Sequence, residues 1–172
     1  MVRVFISSVQ KEFSEERRAL AKYIREDALL RRFFEPFIFE ELPAINLSAP
    51  EAYLAEAAQS EIYLGIFGKE YGYEDAEGVS PTEREFDKAT EQGNHRIIFV
   101  KRCAERDPKE TKFIKRVEEQ VPNTTPRIMA NAKERMLSPP RKKMQRSTRR
   151  VVREVMIVRV RVALMERLNT SK

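Results

Sequence analysis

EIYLGIFGKEYGYEDAEGVSPTEREFDKA, residues 61–89, reads as a strand, a glycine-punctuated loop and a helix in succession. Ile62 to Phe67 reads as a buried strand. Gly68, Gly72 and Gly78 break up the loop, and Ser80-Pro81 opens the helix with an N-cap followed by a first-turn proline. Glu83 completes an S-x-x-E capping box, in which its carboxylate reaches back to the backbone N–H of Ser80. Glu85 lies two residues further on, about 200° round the helix from Glu83. That angle puts it beside Thr82, Phe86 and Ala89, along the edge of the face that packs on the sheet. A carboxylate held there, past the carboxyl end of a buried strand, faces the crevice where open α/β sheets bind ligands. Glu85 is the first candidate for a functional residue.

Working outward, the same alternation of strand and helix fills the first 121 residues. Val2, Val4 and Ile6, with Phe5 between them, form a first strand closed by Ser7-Ser8. A helix over about Lys11 to Arg32 follows. Phe13, Leu20, Ile24 and Ala28 are on its apolar stripe; Glu15, Glu16, Arg17, Lys22 and Arg25 lie largely outside it. Phe37 to Phe39 is a second strand ended by Glu40-Glu41, and a helix over about Pro50 to Gln59 precedes the decisive stretch. Gly93 ends the helix that carries Glu85, Arg96 to Lys101 is a fourth strand, and Asp107-Pro108 starts a last amphipathic helix. Four strand–helix alternations predict an α/β fold: an open, mostly parallel sheet of four to five strands with helices on both faces, in flavodoxin-like layering. The expected strand order is 2-1-3-4, with the switch point beside strand one.

Past Val121 the pattern fails. Residues 122–172 hold 14 of the chain's 33 Lys and Arg and only three of its 27 acidic residues, so the net charge of +6 hides a slightly acidic domain and a strongly basic tail. All five glycines precede residue 94, and five of six methionines follow residue 128. The expectation is a domain over 1–121 and a basic, low-order linker or tail over 122–172. Within the tail, 151–168 fits a helix through Val151, Val155, Val158 and Val162, and equally alternates Arg159 and Arg161 with valines as a strand does. Arg141, Lys142, Lys143, Arg146, Arg149 and Arg150 are dense enough to contact nucleic-acid phosphates without sequence preference; a solvated tail is the other reading.

Composition removes several classes of chemistry. A single cysteine, Cys103, excludes an intramolecular disulfide and a cysteine-rich zinc site, and suits a cytoplasmic protein. His95, the one histidine, directly precedes a strand, which leaves a His-based metal site or a Ser-His-Asp relay little to draw on. No apolar run approaches the roughly 18 residues that span a bilayer, so no membrane partner is expected.

Three strings, VFISSVQKEFSEERRAL, EIYLGIFGKEYGYED and GVSPTEREFDKATEQGNHRIIFVK, closely resemble the bacterial family called domain of unknown function 4062, over about residues 1–121. The resemblance implies an N-terminal module of a larger protein. It also implies kinship with Toll/interleukin-receptor (TIR) domains and nucleoside 2-deoxyribosyltransferases, through an E-x-x-x-A pattern matched by Glu85 to Ala89. By that analogy Glu85 is the catalytic carboxylate of a TIR-like signalling or defence module that binds or hydrolyses NAD or a related nucleotide at its N-glycosidic bond. Ser7 and Ser8 would hydrogen-bond ribose hydroxyls or a phosphate, Gly68 would admit a ligand to the backbone, and Tyr71 or Tyr73 would stack on a base. Glu40 and Glu41, beyond the second strand, are the remaining acidic pair at the crevice; one would assist as acid or base, and solvated loop charge is the other reading. No cofactor is called for beyond the nucleotide as substrate. The competing expectation is a non-enzymatic module that self-associates as a homo-oligomer or docks a protein partner. The last strand and closing helix that the resemblance implies are not recognisable in the tail, so the chain is read as truncated there or as ending in an altered frame.

Overall fold

The computed structural model describes residues 1–41 and 49–121. The basic tail, its apolar stretch 151–168 and the loop 42–48 lie outside the described residues. Strands β1 (Val2–Ser8), β2 (Phe34–Phe37), β3 (Ile62–Phe67) and β4 (His95–Val100) alternate with helices α1 (Gln10–Glu26), α2 (Ala49–Gln59), α3 (Pro81–Glu91) and α4 (Pro108–Gln120). The strands form one parallel sheet in the order β2-β1-β3-β4, as the alternation predicts. Among the described residues no helix is long and apolar enough to cross a membrane.

The period of two along each strand divides the core into two layers. Val4, Ile6, Leu64, Ile66, Ile97 and Phe99 pack with Phe13, Leu20 and Ile24 of α1 on one face. Phe5, Tyr63, Phe67 and Ile98 pack with Ala57, Phe86, Ala89 and Phe113 on the other. Each fully buried large apolar side chain contributes about 1.5–3 kcal/mol relative to exposure, and all six residues of β3 are buried. Of the two interior strands, β1 and β3, β3 is the one with no charged residue.

The same alternation assigns the two serines at the end of β1 to opposite faces. Ser7, in step with Phe5, lies on the layer of α3; Ser8, in step with Val4 and Ile6, lies on the layer of α1. Both belong to the strand, paired with Gly65 and Ile66, so the expected end of β1 at Ile6 is two residues early. Neither caps α1, whose N-cap is Val9 with no side-chain hydrogen bond.

Two other boundaries differ from expectation. α1 stops at Glu26 and not near Arg32, because Asp27 turns the chain: its carboxylate accepts from the amides of Leu29 and Leu30, both at 2.9 Å. Ala28 is consequently exposed and off the apolar stripe. β2 runs Phe34–Phe37 and contains Pro36, whereas Phe39–Glu41 is a 3-10 turn. A proline is tolerated in β2 because this is an edge strand, where one side of the backbone needs no donor.

Candidate functional site

The carboxyl ends of β1 and β3 open into a cleft of about 910 Å³ whose wall includes Ser8, Arg17, Tyr53, Tyr71, Thr82 and Glu85. Its position follows from the strand order. α1 leaves β1 on one face and α3 covers the other, so the chains part above the β1–β3 pair.

Glu85 is 8% exposed and reaches the cleft from the first half of α3. The Ser7 hydroxyl donates to its carboxylate. Ser7 in turn accepts from the Tyr63 hydroxyl at 2.9 Å. Tyr63 is fully buried, stacked on Phe5 and edge-on to Phe86, so the phenol has one orientation to offer. A relay from the sheet core thus fixes the carboxylate. Burial pushes Glu85 up to about 7; the Ser7 hydrogen bond and the Arg17 guanidinium hold it down, and the Glu40 carboxylate adds to the rise. Burial likewise raises Tyr63 well above its ordinary value, with the Glu85 charge acting in the same direction.

Arg17 was expected on the solvent side of α1; it is 4% exposed. Its Nη1 donates to the Ser8 carbonyl at 3.0 Å and its Nη2 to Glu40 at 2.9 Å. The spacing Phe13, Arg17, Leu20, Ile24 puts the guanidinium stem inside the apolar stripe, and that spacing was the available signal. Tyr53 of α2 and Phe39, edge to face at 6.0 Å, add an aromatic pair to the cleft wall that the sequence did not single out.

The remaining candidates divide. Ser8 lines the cleft, and Ser7 sits behind Glu85. Tyr73 is 80% exposed at the rim. Tyr71 lines the cleft but is buried, and its hydroxyl accepts from the Ser80 amide at 3.2 Å and donates to Glu83. Its hydroxyl is a strut between Ser80 and Glu83. This also corrects the capping box. Ser80 Oγ accepts from the Glu83 amide at 3.2 Å as expected, but the Ser80 amide goes to Tyr71, and the Glu83 carboxylate spans Tyr71 and Arg116. Glu41 pairs with Arg25 at the surface. His95 opens β4 opposite Ile62, at the amino ends of the strands and away from the cleft.

Gly68 does not expose backbone to a ligand. A Cβ there would lie 2.1 Å from Glu12 Oε1 and 2.6 Å from Phe13 Cζ. The missing side chain admits Glu12, whose carboxylate accepts from the Lys69 and Glu70 amides at 2.9–3.0 Å. α1 bends at Phe13 (φ −126°, ψ 24°), immediately after Glu12. Arg106 clamps the same turn, donating to the carbonyls of Gly68 at 2.7 Å and Lys101 at 2.6 Å. Among the described residues no group of three or more His, Cys, Asp or Glu is placed to hold a metal ion.

Among solved structures, the chain is similar to the TIR domains of the activated Roq1 resistosome directly recognizing the pathogen effector XopQ. The identity is 14%, the match covers 99% of this chain and 86% of that one, and the TM-score is 0.39. No curated protein matches. The profile of the family described as Domain of unknown function (DUF4062) matches residues 3–153, most of the chain, and the chain belongs to that family.

Proposed function

We propose that this chain is a TIR-like signalling or defence module of the bacterial cytoplasm that hydrolyses the N-glycosidic bond of NAD or a related nucleotide, with Glu85 as the catalytic carboxylate. The observation that carries the reading is the buried Glu85 on the cleft wall, oriented by Ser7 and Tyr63. Breaking a ribose–base bond builds positive charge on the anomeric carbon, which an ionised carboxylate at fixed distance stabilises. In NAD the leaving nicotinamide nitrogen is already cationic. The electron pair of the breaking C–N bond neutralises it, so no acid is needed to protonate the base. Water supplies the hydroxyl that bonds to the anomeric carbon, and its proton passes through Glu85 to solvent. A single carboxylate is sufficient for this chemistry, and a second, acidic carboxyl is not required. Tyr73, on the rim, and the Tyr53–Phe39 pair offer aromatic faces for the base.

The test is nicotinamide release from NAD by the purified full chain, followed by chromatography. Release that is lost in Glu85→Gln and retained in Glu91→Gln, a surface carboxylate on the same helix, is the expected result. No release even at high protein concentration would overturn the proposal in favour of a module that self-associates or docks a protein partner.

A further inference from the structure

On the cleft wall α3 presents Pro81, Thr82 and Glu85. Thr82 and Glu85 are i, i+3 neighbours, about 4.5 Å apart along the helix axis. Thr82 is 6% exposed, and its hydroxyl makes no hydrogen bond among the described residues. Ser8 Oγ, Arg17 Nε and Glu40 Oε1 are unpaired and closed off; the Thr82 hydroxyl is unpaired and still accessible. Buried polar groups are almost always paired, so an open, unpaired hydroxyl on a residue more than nine-tenths buried points to a partner that enters the cleft. The residue is also held in place. The Tyr63 hydroxyl, which fixes Glu85 through Ser7, reaches the Thr82 carbonyl at 3.4 Å.

The surroundings specify the partner. Thr82 is in the first turn of α3, where the positive end of the helix dipole favours an oxygen that accepts. A full negative charge is disfavoured, because the Glu85 carboxylate stands one turn away and the Glu40 carboxylate acts on the same place. Arg17, the cation that acts on Glu85, is committed to the Ser8 carbonyl and to Glu40. The wall beside these groups is apolar, made by Pro81, Phe39 and Tyr53. Tyr53 is near enough to Glu85 that, after burial, the carboxylate charge raises its phenol. A neutral carbonyl carried on an aromatic ring meets these conditions together. In the proposed reaction the ring released beside Glu85 is nicotinamide, whose carboxamide is meta to the departing nitrogen. We propose that Thr82 is a specificity determinant for that group: its hydroxyl donates to the carboxamide oxygen while the ring lies against Tyr53 and Phe39. The cleft thereby selects nucleotides whose leaving ring bears a neutral amide. This deepens the glycosidase reading and takes from it the position of the ring next to Glu85.

The experiment measures binding of nicotinamide, pyridine and nicotinate to the full-length protein at pH 8 by ligand-observed NMR titration, which requires no turnover. Nicotinamide should bind on the order of ten-fold more tightly than pyridine, which offers Thr82 no carbonyl. Nicotinate should bind more weakly than nicotinamide, because its carboxylate meets Glu85. Thr82→Val, which keeps the shape and removes the hydroxyl, should bring the nicotinamide-to-pyridine ratio toward one. Thr82→Ser, which keeps the hydroxyl, should preserve the ratio, and unchanged circular dichroism shows that both variants fold. Equal affinities for nicotinamide and pyridine, tighter binding of nicotinate, no binding of nicotinamide at millimolar concentration, or a preference that survives Thr82→Val would each overturn the assignment. A preference that depends on Thr82 in a chain that releases no nicotinamide from NAD would sink the hydrolase reading alone. Nicotinamide release without that preference would sink the Thr82 assignment alone.

Discussion

Replacing Glu85 with Gln should make the protein more stable, and only at the pH where the carboxylate is ionised. Burial raises Glu85 from 4.5 to about 7, a difference equivalent to about 3 kcal/mol between its two protonation states. Below pH 4.5 the group is protonated in both folded and unfolded chains and contributes no difference. As pH rises from 4.5 to 7 the unfolded chain releases a proton that the folded one keeps, so stability falls over that window and stays lower above it. Gln never ionises, is nearly isosteric, and its carbonyl still accepts from Ser7. The variant's advantage should therefore be near zero at pH 4 and reach up to about 3 kcal/mol at pH 8, a rise in melting temperature of roughly 6–12 °C. Glu110, pushed up to about 8 chiefly by burial, lowers stability with pH in both proteins, so the difference between their melting curves is the quantity to read. Thermal denaturation by circular dichroism at pH 4, 6 and 8 measures it. An advantage that does not change with pH, or a variant that melts lower at pH 8, would refute the claim that Glu85 carries an uncompensated desolvation penalty.

Two further substitutions test how the site is held. Ser7→Ala removes the donor that holds Glu85 down, so the pH of half-maximal nicotinamide release should move upward; an unmoved midpoint would contradict the relay. The same change leaves the Tyr63 hydroxyl only the Thr82 carbonyl at 3.4 Å, with a stability loss of about 1–3 kcal/mol on urea unfolding. Gly68→Ala would press a methyl group against Glu12 and Phe13. It should destabilise by about 1–3 kcal/mol and speed hydrogen exchange at the Lys69 and Glu70 amides, and unchanged exchange there would argue against the Glu12 clamp.

The parts legible in the sequence were those that depend on local period. The short apolar run Ile62 to Phe67, followed by glycines, read as a buried strand, and the angle between Glu83 and Glu85 placed one at the helix cap and the other on the sheet edge. Contacts between distant segments were hidden. Arg17 has the i, i+4 spacing of a core position after Phe13, but its charge made the exposed side of the helix the default assignment. Only the fold brings it the Ser8 carbonyl and Glu40 as partners. Glu83 matched its motif and still left the reciprocal bond unmade, because Tyr71, 12 residues away, takes the Ser80 amide. Gly68 signalled a close approach correctly; nothing local could say that the approaching group is the chain's own Glu12.

The free-energy costs in this domain gather at one end of the sheet. Among the described residues a carboxylate is buried with a single hydroxyl donor, a guanidinium is buried with its Nε unpaired, and two further polar atoms beside it lack partners. Apolar residues of similar volume at these positions would remove those costs. Around the same end, the loop after β3 is held firmly: Glu12 on its amides, Arg106 on its carbonyls, Tyr71 across to Ser80 and Glu83. A rigidly held loop beside a buried carboxylate is what preorganised recognition requires, because the wall is positioned before a ligand arrives. Were the loop instead loosely held, binding would have to order it first, and the affinity for any ligand of the cleft would fall by that ordering cost.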